Sequence, residues 1–551
     1  MGKKLEKFVR RPRGLEGLKR ARDELEQIYA SETPKAYSVD GRTFQFELPL
    51  SSAVRTGSKI STGSYVEIRL RDGTSYFGQV IEKAITEREG PEYGLGAQAT
   101  GRLWLVTTRE RAHLKDRLTI PLIKGQGLLL GKFTNKDFTL SNELAIFENA
   151  ELLVASPSTV DRYFAQTRPI TGNLDVGTPI HGTEKCRVGL DGAGFDRHTF
   201  LTGQSRSGKS FAMGVILEQF LLARKLRMVV IDPNSDFIRL DEFLKRKDLN
   251  QVRTKPLSDT AYRRTKKRYE KVAKDIRILG AHENVDATHV PLRIRFSDLK
   301  PTEMPAVLKI DPLHDGLEFH SLQTLIEGLD QTTYSLEDVL AAARQYFFEE
   351  SRKLGLRIIN QGILEWAVWK EDGNHSIIDI LNQKRRCTVI DIGALATEEE
   401  RLMISMVVLG HLWEARAKRE RVLVVIDEAH NVAPAEPSSE LQRVCSDLAV
   451  RIAGEGLKYG ISLMISTQRP DKLNANVMSQ CENQIIMRMT SSADLATVAR
   501  TFSQIPEGLV NECAAFQLGN ALISGRIVHA PTFVQFDGRL SYEGGGDVET
   551  T

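Results

Sequence analysis

From about residue 166 the chain alternates short, almost continuous apolar runs with longer stretches of helical period. The runs are HTFLTG (198–203), RMVVID (227–232), CTVIDI (387–392), VLVVID (422–427), ISLMIST (461–467) and QIIMRMT (484–490). Strands that are apolar on both faces and separated by helices predict a parallel sheet covered on both sides. Residues 39–165 have a different period. YVEIRLRDGTSYFGQVIE alternates Val66, Ile68 and Leu70 with Glu67, Arg69 and Arg71, then turns at Asp72-Gly73, which is a hairpin pattern. GRLWLVTT (101–108) and GLLLGKFTN (127–135) read as further strands. Several short strands broken by turns predict a small β-barrel. Residues 246–385 carry helical period, as in SLEDVLAAARQYFFEESRKLG, and read as a helical insertion in the α/β domain. The plan is an arm (1–38), a barrel (39–165), an α/β core in two parts (166–245 and 386–537) around the insertion, and a flexible tail (538–551).

Composition changes this picture in a few places. With 551 residues and a hydrophobic fraction of 41%, the chain can bury several cores, and two to four domains are expected. The net charge is only +3, so any surface for nucleic acid has to be local. Two segments qualify. Up to Arg22 the arm sets Lys3, Lys4, Lys7, Arg10, Arg11, Arg13, Lys19, Arg20 and Arg22 against Glu6 and Glu16. It reads either as a solvated arm with a packing helix or as a docking arm. RRTKKRYEKVAKDIR, near the start of the insertion, is either an exposed helix face or a surface turned to phosphates. The five cysteines form no C-x-x-C pair, so no zinc site or disulfide framework is expected. No apolar run approaches the roughly 18 residues of a membrane span, and the first residues lack the apolar core of a signal peptide. The expected setting is cytoplasmic, without a membrane.

GQSRSGKS at 203–210 has the G-x-x-x-x-G-K-[ST] spacing of a phosphate-binding loop. An apolar run precedes it and a helical run, SFAMGVILEQFLLARKLR, follows. In that geometry the loop from Gly203 through Gln204, Ser205, Arg206, Ser207 and Gly208 to Phe211 surrounds the phosphates of ATP, helped by the positive end of the helix dipole. Lys209 would bridge the β- and γ-phosphates, and Ser210 would ligate Mg²⁺. RVLVVIDEAH ends an apolar strand in Asp427-Glu428. Asp427 can hold the Mg²⁺ shell and Glu428 can polarise the attacking water, a pairing that favours an ATPase over a GTPase switch. ISLMISTQRP puts Gln468 at the carboxyl end of another strand, the edge where parallel sheets bind ligands. A neutral amide there can sense the γ-phosphate.

TGQSRSGKS, VVIDPNSDF, VIDEAHNVAP, RIAGEGLKYGISLMISTQRP and GNALISGRIVHAPTFVQF occur in this order. Together they resemble the HerA-like ATPases of the HerA–FtsK superfamily, from the barrel to about residue 537. The resemblance implies a RecA-like P-loop core behind an N-terminal assembly barrel. It also implies a hexameric ring that moves double-stranded DNA beside a nuclease or other effector, in DNA end processing or anti-phage defence. Arg197, twelve residues before Lys209, matches an arginine that the family places before its P-loop. Where the family commonly reads R-I-A-R-E-G-R-K-Y-G, this chain keeps Arg451 and Lys458 but has Gly454 and Leu457. The trans-acting arginine is therefore Arg451 first and Arg197 second. Asp232-Pro233 matches the family's D-P-x-G-E motif, with Ser235 and Asp236 replacing its Gly and Glu. The effector is expected near the arm and barrel. The rival expectation is an ATP-regulated oligomeric scaffold that controls an effector without processive DNA movement.

Overall fold

A computed structural model describes residues 35–49, 60–88, 120–134, 137–139, 146–253, 256–281, 288–329, 332–345, 348–369 and 376–544. It separates into two compact units, the first made of residues up to 166 with 181–183 and 506–512, the second of the remainder.

The first unit holds β1 (Lys35–Ser38), β2 (Thr43–Pro49), β3 (Tyr65–Arg69), β4 (Ser75–Arg88), β5 (Ile120–Thr134), β6 (Asp137–Thr139) and β7 (Phe147–Val154). The antiparallel order β1-β2-β5-β4-β3-β7 closes because β7 pairs back with β1, and β6 adds beside β5. Closure of six strands into a barrel removes the free edges that would otherwise invite other chains. Val66 and Ile68 point into the core with Phe44, Phe46, Val80 and Leu152. Between them, Glu67 forms a 3.0 Å ion pair with exposed Arg69. Gly127 is needed for close approach, since a Cβ there would lie 2.2 Å from the Phe44 ring. The expected turn at Asp72-Gly73 is present, with Gly73 at φ 85° and Asp72 Oδ1 accepting from the Thr74 amide at 2.8 Å.

One boundary differs from the expectation. Lys35–Ser38, read as the end of the arm, form β1, with Ala36 and Ser38 buried and Lys35 and Tyr37 exposed. Four residues are too few for the alternation to stand out in sequence. The rest of the arm, residues 1–34, and the run GRLWLVTT lie outside the described residues.

The second unit is built on β8 (Asn173–Pro179), β9 (Val188–Asp191), β10 (His198–Thr202), β11 (Arg227–Asp232), β12 (Ile276–Gly280), β13 (His289–Pro291), β14 (Cys387–Asp391), β15 (Val422–Ile426), β16 (Ile461–Thr467), β17 (Cys481–Met487), β18 (Asn520–Ser524) and β19 (Thr532–Phe536). Their order is β13-β12-β14-β11-β15-β16-β10-β17-β18-β19-β8-β9. Pairing is parallel from β13 through β17 and antiparallel beyond. The six apolar runs became β10, β11, β14, β15, β16 and β17, all in the parallel part. This is a RecA-like α/β core, and it sets the carboxyl ends of β10, β11, β15 and β16 side by side.

The insertion contributes helices such as Asp259–Ala273, Gly316–Gly328 and Glu349–Asn360, but it is not wholly helical. Its β12 and β13 extend the sheet past β14. Only Ile276, Ile278, Leu279 and Gly280 of β12 are buried, and Arg277 interrupts them, so the run is too short and mixed to read as a strand. The expected tail is also packed where it is described. Gly538, Arg539, Leu540 and Ser541 are buried. Their glycine and polar content resembles a tail, yet Glu218 on the P-loop helix accepts from the amides of Leu540 (2.7 Å) and Ser541 (2.8 Å).

Candidate nucleotide site

The P-loop joins β10 to the helix Lys209–Ala223. Gly208 lies at φ 98°, a region that L side chains rarely adopt. The loop is anchored from outside: the Gln204 amide donates to Arg488 O (2.9 Å), and its side-chain Oε1 accepts from Thr490 Oγ1 (2.8 Å). The Gly519 amide donates to Ser207 O at 3.1 Å. Lys209 is buried, Ser210 and Phe211 are half-buried, and Ser205 and Arg206 are exposed at the rim.

Four carboxylates face this loop. Asp232 is fully buried and accepts the amides of Asn234 (3.2 Å), Asp236 (3.1 Å) and Phe237 (2.8 Å). It therefore shapes the turn after β11. Asp236, carried by that turn, accepts from Ser210 Oγ at 2.5 Å. Asp427 accepts from Asn234 Nδ2 at 3.3 Å through Oδ2; among the described residues no donor lies within ordinary hydrogen-bond distance of its buried Oδ1, the Ser466 hydroxyl being the nearby polar group. Glu428 lies 3.8 Å from Lys209 Nζ. Burial, and then the neighbouring acids, push Asp427 up to about 6. Burial likewise pushes Asp232 up to about 7 and raises Asp236. The site thus has an excess of acid over cation, and a carboxylate oxygen without a donor in hydrogen-bond distance beside the Ser210 hydroxyl's own partner. Both features fit Mg²⁺. Among the described residues no cluster of three or more His, Cys, Asp or Glu could cage a metal. Mg²⁺ usually takes one or two protein carboxylates and completes its shell with phosphates and water.

Gln468 follows β16 and bridges the site. Its Nε2 donates to Glu428 Oε1, and its Oε1 accepts from Ser205 Oγ. The amide therefore links the rim of the P-loop to the acid. Glu428 holds φ 43°, a strained value for a residue with a side chain, of the kind that clusters at functional sites. Sequence reasoning missed His430, whose Nδ1 lies 3.4 Å from Glu428 Oε2 and 3.0 Å from Thr467 Oγ1. Burial holds this imidazole below its ordinary value, against the pull of Glu428. It also missed Asn234, and it named Asp236 only as a replacement in the Asp232 motif, without a role at the site. For His430 the signal was its spacing, two residues after the paired acids; Asn234 and Asp236 could be found from the loop that closes β11.

Lys209, Ser210, Asp427, Glu428 and Gln468 come together at the carboxyl ends of the strands. Arg197 and Arg451 do not join them. Arg197 precedes β10 at its amino end, 3.6 Å from Glu482. Arg451 is exposed on the helix Glu440–Glu455, which reaches the same edge, where His198 Nε2 meets Ala453 O at 2.9 Å. At about 3.3 Å per residue, five-residue β10 keeps this edge on the order of 15 Å from the P-loop. A cavity of about 630 Å³ opens there, lined by Arg197, Arg224, Lys225, Arg421 and Leu457.

Residues 174–412 match the family described as "Helicase HerA, central domain". That stretch contains the P-loop and the Asp232 turn and ends before Asp427. Over 123 residues the chain is 37% identical to the DNA double-strand break repair helicase HerA of Sulfurisphaera tokodaii, covering 22% of this chain and 24% of that protein. Over 114 residues it is 33% identical to the protein of the same name from Pyrococcus furiosus, covering 21% and 20%. The aligned part thus spans about a quarter or less of the curated relatives' length. Among solved structures, VirB4 of Thermoanaerobacter pseudethanolicus is similar over 67% of this chain and 97% of its own, at 13% identity and a TM-score of 0.44. Residues 174–412 thus carry a domain that matches the HerA central domain, and the curated relatives to which the chain is similar are HerA helicases.

Proposed function

We propose that this protein hydrolyses ATP to move double-stranded DNA as a HerA-type translocase or helicase. It works as a ring, a hexamer by family expectation, in a cytoplasmic setting. The observation that carries the reading is the split of its chemistry between the two edges of one sheet. One edge holds Lys209, Ser210, Asp427, Glu428 and Gln468; the other holds Arg197 and Arg451. A single copy can bind nucleotide with the first set but cannot bring its own arginines to it. A neighbour in a closed ring can.

In this reading the loop amides and Lys209 bind the β- and γ-phosphates. Ser210 and Asp427 would hold Mg²⁺, which when bound would neutralise developing phosphate charge. Glu428 takes the proton from the attacking water, with His430 and Gln468 fixing the orientation of its carboxylate. Gln468 passes the state of the γ-phosphate into the segment that follows. No helix among the described residues is long and apolar enough to cross a membrane, and all five cysteines are buried. The nuclease or other effector docks near the arm and barrel.

DNA is gripped by the helix Asp259–Ala273. Its buried face rests on Tyr269 and Ala273, and it leaves Arg263, Arg264, Lys267 and Arg268 exposed. Double-stranded DNA is expected to stimulate ATP hydrolysis by the purified protein. Replacing Arg263, Arg264 and Lys267 with glutamine is expected to flatten that stimulation and leave the basal rate intact. Each lost phosphate contact should reduce the slope of log affinity against log salt by about 0.9. Stimulation that survives the triple change would move the DNA surface elsewhere.

A second reading, an ATP-regulated scaffold with little DNA movement, is favoured by Gly454 and Leu457, which stand at two basic positions of the family pattern. Gly454 is exposed, and a Cβ there would meet nothing within 4 Å, so an arginine fits without repacking. Gly454→Arg is expected to raise turnover severalfold if weak hydrolysis comes from this gap. An unchanged rate would mean that Arg451 suffices alone.

A further inference from the structure

Arg539 is among the largest side chains that the fold buries completely, at 1% exposure, beside Glu218 at 0%. Burying a guanidinium is unfavourable unless its partners are well placed, so what it touches is informative. It lies between the P-loop helix and the turn after β11. Nη1 donates to Ser210 O and Nη2 to Asp236 O, both at 3.3 Å. Ser210 and Asp236 are the pair joined by a 2.5 Å side-chain bond on the Mg²⁺ side of the site. The segment that carries Arg539 is itself held on both sides. Leu540 O accepts from the Leu244 amide at 2.7 Å, and the Tyr542 amide donates to Glu242 O at 3.2 Å. The Gly544 amide donates to Asp236 O at 3.1 Å, a second hold on the same carbonyl. Glu218 accepts from Leu540, from the Ser541 amide and from Ser541 Oγ at 2.6 Å. On the helix, Gly214 leaves room for the guanidinium: a Cβ there would lie 2.7 Å from Arg539 Cζ.

We propose that Arg539 is a positioning residue for the Mg²⁺ side of the nucleotide site, with Gly538–Gly544 acting as a clamp that fixes Ser210 relative to Asp236. This rests on the ATP–Mg²⁺ reading above. Arg539 meets the site through the main-chain carbonyls of Ser210 and Asp236, and its guanidinium is also paired with Glu543 at 2.9 Å. Its loss therefore affects the contribution of Mg²⁺ to binding more than the grip of the loop amides on phosphate.

The test uses the full chain and a fluorescent ATP analogue, titrated with and without Mg²⁺. For the unmodified protein Mg²⁺ is expected to tighten binding. In Arg539→Gln that tightening should fall at least tenfold, while affinity without Mg²⁺ stays within about twofold. Arg539→Lys should recover part of the loss. Gly214→Ala serves if Arg539→Gln fails to fold. Helix propensity alone favours alanine there, so a weaker Mg²⁺ response in a folded Gly214→Ala protein reports displacement of Arg539. An unchanged Mg²⁺ response in folded Arg539→Lys and Gly214→Ala overturns this inference and leaves the nucleotide reading standing. An unmodified protein that binds no analogue removes both.

Discussion

Glu428→Gln is expected to bind ATP with Mg²⁺ and to hold it unhydrolysed. The carboxylate is the group placed to take a proton from water: it is buried, meets Lys209 and His430, and is fixed by Gln468. Glutamine preserves the shape and keeps an oxygen for the Gln468 amide, but it cannot accept the proton. A positioned general base contributes about 10²- to 10⁴-fold, so turnover should fall by that much while nucleotide remains on the protein. Single-turnover assays with radiolabelled ATP retained on a filter separate the two effects. The strained backbone at Glu428, φ 43°, is unaffected by the change, so loss of folding should not confuse the result. Near-unmodified turnover would take the proton-accepting role away from Glu428.

The parts of this site that were legible in sequence are those where the backbone itself is constrained. Gly208 needs its positive φ, and the strands leading to Asp427 and Gln468 are buried on both faces and so apolar throughout. The barrel was legible for the complementary reason: Val66 and Ile68 fill the barrel core, while Glu67 and Arg69 between and beyond them lie on the other, less buried face. What could not be read depends on partners far apart in the chain. Arg539 meets Ser210 across 329 positions, and nothing near either residue announces the other. One trace was available, since Glu218 is a charge inside the apolar run VILEQFLLA, and a buried acid needs donors from somewhere. The edge strands β12 and β13 were hidden because they are only five and three residues long and are specified by the exposed edge of β14 rather than by their own period. The two edges of the sheet were not separable in sequence either. Arg197 lies near the P-loop in number, yet the length of β10 sets it at the far end.

That separation leads to the other large effect. If the arginines act on a neighbour's nucleotide, Lys209→Ala and Arg451→Ala should each be nearly inactive for different reasons. The first loses the buried cation that meets the phosphates. The second keeps a complete P-loop edge but offers nothing to the adjacent subunit, a loss on the order of 10³ or more in related phosphoryl transfer. Arg451 is exposed, so its removal should leave folding untouched. Mixing the two inactive proteins in equal amounts under conditions that exchange subunits should then restore activity. A productive interface needs the P-loop of an Arg451→Ala subunit beside the arginine of a Lys209→Ala subunit, which random assembly of a ring supplies at about a quarter of interfaces. Recovery that rises and falls with the mixing ratio, peaking near equal amounts, is the expected result. If the mixture stays as inactive as its parts, the same exchange with Arg197→Ala in place of Arg451→Ala decides whether the other arginine is the trans-acting one. Failure of both mixtures, with exchange confirmed by mass photometry, would mean that the two edges of the sheet do not meet across a subunit boundary.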